Sequence, residues 1–119
     1  MLDGANIRPG LSADLGVSGS DREEHMRRVA EVAKLFAEAG SVCIVSFTSP
    51  TRHERERARA IVETSDGPNI PFLEAYLAGA NDASSQYEPP EHPEVSLGEQ
   101  MSLEERVNRV LEHLMRQIR

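Results

Sequence analysis

Seven consecutive residues, Ser41-Val42-Cys43-Ile44-Val45-Ser46-Phe47, constrain the fold more than any other stretch. They are small or apolar, rich in β-branched side chains, and too few to make a useful helix. Gly40 precedes the run and Pro50 follows it closely. Such a run suits a strand covered on both faces, as in a parallel sheet. Helical patterns flank it on either side, and that alternation predicts an α/β fold.

The helix before the run is announced by Ser20-Asp21-Arg22-Glu23, which reads as a capping box. Helical spacing then puts Met26, Val29, Ala30, Ala33, Phe36 and Ala37 on one face, and Gly40 is the expected left-handed terminator. After the run, Ser49 is a natural N-cap and Pro50 a natural first residue for a helix reaching about Glu63. Its Arg52, Arg55, Arg57 and Arg59 interleave with Glu54 and Glu56, a pattern of solvated ion pairs. Residues 64–69 read as a turn and Ile70–Leu77 as a second strand. Residues 78–94 read as loop and Glu94–Leu97 as a short edge strand. Ser102 to Glu105 is a second capping box. The helix behind it carries Leu103, Val107, Val110, Leu111, Leu114 and Ile118 on one stripe, enough to pack on a sheet.

Composition narrows the function classes. Of 119 residues, 39% are apolar and 28% charged, as in a folded, soluble domain. A net charge of −7 argues against non-specific binding to nucleic acid or anionic membrane, but not against a small anion held by local arginines. No apolar run approaches the roughly 20 residues of a membrane span. No secretory signal is visible at the start, and the lone Cys43 excludes an intrachain disulfide, so the reading is cytoplasmic. Cys43 itself reads as core. His25, His53, His92 and His113 have no metal-ligand spacing, so no metal site is expected.

Ligands of open α/β sheets sit beyond the carboxyl ends of the strands. Two expected strand ends carry polar residues: Asp3 to Arg8, and Thr48-Ser49. Arg8 and Arg22 flank the first loop, and arginine suits bidentate recognition of phosphate or sulfate.

Residues 2–40 go further. Leu2-Asp3-Gly4-Ala5-Asn6-Ile7-Arg8, Asp14-Leu15-Gly16, Ser20-Asp21-Arg22-Glu23-Glu24 and the helix to Gly40 resemble the adenylylsulfate kinase segment L-D-G-D-N-I-R-x-G-L-x-x-D-L-G-F-S-x-x-D-R-x-E-N, almost without gaps. Those enzymes transfer the γ-phosphoryl of ATP, with Mg²⁺, to the 3′-hydroxyl of adenosine 5′-phosphosulfate (APS). The resemblance resumes at Val45-Ser46-Phe47-Thr48-Ser49-Pro50, at Ile70-Pro71-Phe72-Leu73-Glu74, and at Tyr87 to Glu94. It implies a P-loop-kinase-like three-layer α/β fragment with a small, mostly parallel sheet flanked by helices, forming one partial domain over residues 1–119. It implies APS as ligand, with Asn6, Ile7, Arg8, Arg22, Glu23, Glu24, His25, Thr48 and Ser49 as substrate-binding residues. It places Asp3 near the reacting phosphoryl group, and the position of Ser49 carries a phosphoserine role in the family.

The sequence departs from that pattern at points that matter. The family's G-x-x-x-x-G-K-[ST] loop has no counterpart, since Lys34 is the only lysine and sits mid-helix. The loop's expected place lies upstream of Leu2, so the chain reads as truncated there. The second acid of D-G-D-N is Ala5, the aromatic after D-L-G is Val17, and the asparagine of the R-x-E-N motif is His25, expected to lie exposed at the start of its helix. The basic lid is missing too, because Ala78 to Ala83 runs almost directly into Ser84 to Tyr87. The expectation is therefore an adenylylsulfate-kinase-like chain that does not turn over by itself. The alternative is a non-catalytic APS-binding or assembly module, as a homodimer or paired with an intact paralogue.

Overall fold

Asp3 ends the first strand and starts the first helix at once. Its carboxylate accepts the Asn6 amide at 3.0 Å, while the Asn6 side chain accepts the Asp3 amide at 2.9 Å. This reciprocal cap closes β1 (Leu2–Asp3) into α1 (Gly4–Ile7), a single turn. The computed structural model describes residues 1–64, 66–67, 69–79 and 86–118, without the side chain of residue 118. The expected lid junction runs through 80–85 and so lies outside the described residues, as does the side chain of Ile118 on the expected stripe.

The remaining elements are α2 (Gly19–Glu38), β2 (Val45–Ser46), α3 (Arg52–Glu63), β3 (Ala75–Leu77), β4 (Val95–Leu97) and α4 (Leu103–Ile118). The strands form two parallel pairs, β1 with β2 and β3 with β4. The α/β class and the parallel pairing agree with the sequence reading, though the described strands form two small sheets rather than one. The chain divides into two compact units. One holds residues 1–49 and 53–70; the other holds 50–52 and 71–119. Among the described residues no helix is long and apolar enough to cross a membrane.

In the first unit the core is Leu2, Ile7, Val29 and Ala33, with Val32, Cys43 and Phe47 packed against it. Val29 is 1% exposed. The stripe expected on α2 is half right: Val29, Ala30 and Ala33 are buried, but Phe36 is exposed, and His25 joins the buried face instead. The helix also starts two residues earlier than read. Ser18, not Ser20, is the N-cap, accepting the Asp21 amide at 3.3 Å. Asp21 in turn holds the Gly16 amide at 2.8 Å, which ties the entering chain to the first turn of the helix.

The run 41–47 is corrected most. Only Val45–Ser46 is strand, and Val42, Ile44 and Val45 are 58%, 59% and 43% exposed. Cys43 and Phe47 face the core. A single neighbour, β1, lies beside this strand, and one short partner cannot cover two faces.

Residues 50–51 are not helical. Ser49 adopts a left-handed φ of 39°, and its carbonyl accepts the Arg55 guanidinium at 2.7 Å, so it does not cap α3. The acceptor for the first amide of α3 is the Glu88 carboxylate, which receives Arg52 N at 2.8 Å. In the second unit, the strand read from Ile70 narrows to Ala75–Leu77. Pro71 has no amide to give a ladder, and the Glu74 amide goes to the Glu94 carboxylate at 2.7 Å. Val95 and Leu97 are buried. The second capping box forms as read, with Glu105 N on Ser102 Oγ at 3.1 Å and Ser102 N on Glu105 Oε2 at 3.3 Å.

Candidate functional site

Residues 8–18 have little regular structure, yet side chains of α2 tie them down at four points. Asp21, Glu24, His25 and Arg28 recur at helical spacing, so they share the face of α2 that meets this loop. Gly16 is held at both ends of its peptide unit: its amide by Asp21, its carbonyl by Arg8 at 3.0 Å. His25 Nδ1 lies 2.8 Å from Ser12 Oγ, with Ser12 fully buried and His25 4% exposed. The imidazole also meets Phe47 edge-on, centroids 5.1 Å apart. His25 is thus a core residue and not the exposed residue expected from the sequence.

Arg28 is the third side chain of α2 to hold the loop, and it makes the most bonds to it. Its Nε donates to Glu24 at 2.9 Å, and its two terminal nitrogens fork onto the Asp14 carboxylate at 2.6 and 3.0 Å. One of them also reaches the Leu11 carbonyl at 3.0 Å. Glu24 is doubly engaged, because Arg27 forks onto it at 2.6 and 2.9 Å. Hydrogen bonds from Arg27 and then Arg28 pull the Glu24 pKa down to about 2. Arg28 likewise holds Asp14 below the ordinary carboxylate range. Burial, and then the charges of Arg8 and Arg28, lower the pKa of His25.

The expected site residues separate into groups. Asp3 and Asn6 spend their polar atoms on local structure, Asn6 also donating to the Met1 carbonyl at 2.8 Å. Ile7 is 6% exposed and packs in the core, while its carbonyl receives the Gly10 and Ser12 amides. His25 secures the loop at Ser12, and Glu24 holds Arg27 and Arg28. Glu23 is exposed and lines a crevice with Met26, His53 and Ile61. Thr48 is exposed and Ser49 half-buried, its Oγ 4.0 Å from Met26 Sδ. Arg8 is half-buried. Arg22 is half-buried as well, and its Nε is buried without a hydrogen-bond partner.

Arg22 lies in the first turns of α2, and a buried guanidinium N–H without an acceptor is costly there. Sequence reasoning missed Ser12, Asp14 and Arg28 as parts of the site. The signal was present, since Glu24 and Arg28 stand four apart on one helix, but nothing in the sequence said that Asp14 would fold back onto that pair.

The sequence model of one family, described as Adenylylsulphate kinase, matches residues 1–83. The chain is 41% identical to an adenylyl-sulfate kinase of Prochlorococcus marinus, covering 82% of this chain and 58% of that protein. It is 38% identical to an adenylyl-sulfate kinase of Emericella nidulans, covering 95% of this chain and 68% of the relative. Its fold is similar to the structure of the Mycobacterium tuberculosis APS kinase in complex with AMPPNP and APS, with a TM-score of 0.83 and 30% identity, over 96% of this chain and 78% of that one. The chain therefore spans between somewhat over half and about two-thirds of the length of these two curated relatives. The Emericella alignment runs over 141 positions, more than the 119 residues present here. That relative thus carries residues inside the matched stretch that this chain lacks.

Proposed function

The chain belongs to the adenylylsulfate kinase family, and from that premise we propose that residues 1–119 carry the sulfonucleotide side of such an enzyme's site and bind APS without phosphorylating it by themselves. The observation that carries this reading is Arg22, whose buried Nε lacks an acceptor in the first turns of α2, the helix whose side chains also hold the preceding loop at Leu11, Ser12, Asp14 and Gly16. Arg22 and Arg8 would receive the phosphosulfate, the ties from α2 would hold the loop in shape around it, and the surrounding apolar core would keep that shape fixed.

The residues present do not fit a nucleoside triphosphate. Lys34, the only lysine, lies in the middle of α2. The short α1 has its N-terminus closed by the chain's own Asp3 carboxylate, and Arg52 N at the start of α3 is taken by Glu88. Among the described residues no three His, Cys, Asp or Glu side chains gather to hold a metal. Phosphoryl transfer relies on positioning and on neutralising charge at the transferred group, and residues 1–119 hold no G-x-x-x-x-G-K-[ST] loop for the β- and γ-phosphates. The reaction of the family therefore needs a phosphate-binding loop from outside residues 1–119.

The test is transfer from labelled ATP to APS, with Mg²⁺ and an intact family enzyme as control. The expected outcome is product in the control and none with this chain. APS-dependent product from this chain alone would overturn the reading.

One observation favours a second role, in assembly. Leu103, Val107, Leu111 and Met115 lie four apart on α4 and are 78%, 47%, 47% and 51% exposed. Such a stripe suits pairing with another copy or an intact paralogue. Sedimentation velocity decides: association that increases with concentration and is lost in Leu111→Glu supports it, and a monomer throughout contradicts it.

A further inference from the structure

We propose that Arg28 is the positioning residue of this site: by clamping Leu11–Asp14 onto α2 it sets where Arg8 and Arg22 meet the anion. The inference rests on the APS-binding reading above and adds a role to a residue outside the expected binding set.

Three observations support it. First, Arg28 is spoken for. Its bonds go to Glu24, to both oxygens of Asp14, and to the Leu11 carbonyl, which uses each of its three nitrogens. Two carboxylates neutralise it, so it is a poor anion ligand, whereas Arg22 keeps a buried N–H without an acceptor. Second, the clamp holds a part of the loop that the other ties do not reach. Asp21 and Arg8 hold it near Gly16, His25 holds it at Ser12, and Arg28 alone holds Asp14. With Gly10 and Gly16 in the loop, removing that tie frees a flexible backbone, and ordering it again on binding costs affinity. Third, the fork is geometric. Two parallel N–H···O bonds to one carboxylate fix its direction as well as its distance, which a lysine ammonium does not do. Removing the clamp also frees the Asp14 carboxylate beside a site meant for an anion.

The experiment is calorimetric titration of APS into the wild type, Arg28→Lys, Arg28→Gln, Asp14→Asn and the Arg28→Gln/Asp14→Asn double variant. The side chain of Asp14 is 63% exposed, so Asp14→Asn breaks the fork from the loop side with little risk to folding. Each single variant should weaken APS binding by about tenfold or more, with the thermal midpoint of Asp14→Asn unchanged. Arg28→Lys should fail to rescue despite keeping the charge. The double variant should be no weaker than Arg28→Gln, the non-additivity of two partners in one contact. The side-chain Nε–H signal of Arg22 in a ¹H–¹⁵N spectrum gives a second readout: it should shift with APS in the wild type and respond at correspondingly higher APS in Asp14→Asn.

Wild-type binding with unaltered affinity in Asp14→Asn and Arg28→Lys would overturn the positioning role and leave the APS reading standing. No binding by the wild type would overturn both.

Discussion

His25 shows how one side chain carries both structure and pH response. It is buried against Ser12 and Phe47, with Arg8 and Arg28 close enough to disfavour its charged form. The unfolded chain takes up a proton near the ordinary pKa of about 6.5 that the folded chain resists. Stability is therefore whole above that pH and falls as the pH drops below it. Thermal unfolding between pH 7 and 5.5 should show a steeper loss for wild type than for His25→Asn, and equal slopes would contradict this. Glu24 behaves like a paired acid: its contribution holds above about 4.5 and drains away as the pH falls toward 2. Ile7 makes a different point. The family pattern places it among the substrate contacts, but its side chain fills the core. Ile7→Ala should cost roughly 2–5 kcal/mol in urea unfolding, whereas a residue that only touched ligand would cost far less. The sequence said that Ile7 belonged to a functional segment. It could not say that the residue serves the segment from beneath.

At the scale of elements, what was legible was the presence and type of the three long helices, and what was not was the single turn of α1, the starts of α2 and α3, and which faces found cover. Two serines compete to start α2. Ser20 has the better box partner in Glu23, but the structure uses Ser18, because Asp21 is committed to Gly16 and draws the loop into the helix two residues sooner. Ser18→Ala should cost about 1 kcal/mol and Ser20→Ala little; the reverse order in chemical denaturation would restore the sequence reading. In α4 the box at Ser102 and Glu105 was read correctly because no rival residue competes for it. Run 41–47 failed for a reason that no pattern contains. Apolar β-branched residues report that a strand is fit for burial, and a neighbour has to supply the burial. Here β1 pairs with Val45 and Ser46 alone, and the side chains of Val42, Ile44 and Val45 stay exposed.

At the scale of the molecule, the family was legible because residues 2–40 match it almost without gaps, and the family model covers residues 1–83. The positioning of the loop was not, because it depends on pairs far apart in sequence, Asp14 with Arg28 and Ser12 with His25. Each of the two units keeps buried residues of its own, Val29 in one and Val95 in the other. The central claim is that these residues recognise the sulfonucleotide and not the triphosphate. The direct measurement is calorimetry on the purified chain, titrated with APS and, separately, with AMPPNP. Saturable heat is expected with APS and lost in Arg22→Ala, and none is expected with AMPPNP. Saturable AMPPNP binding, or APS binding indifferent to Arg22, would contradict the claim.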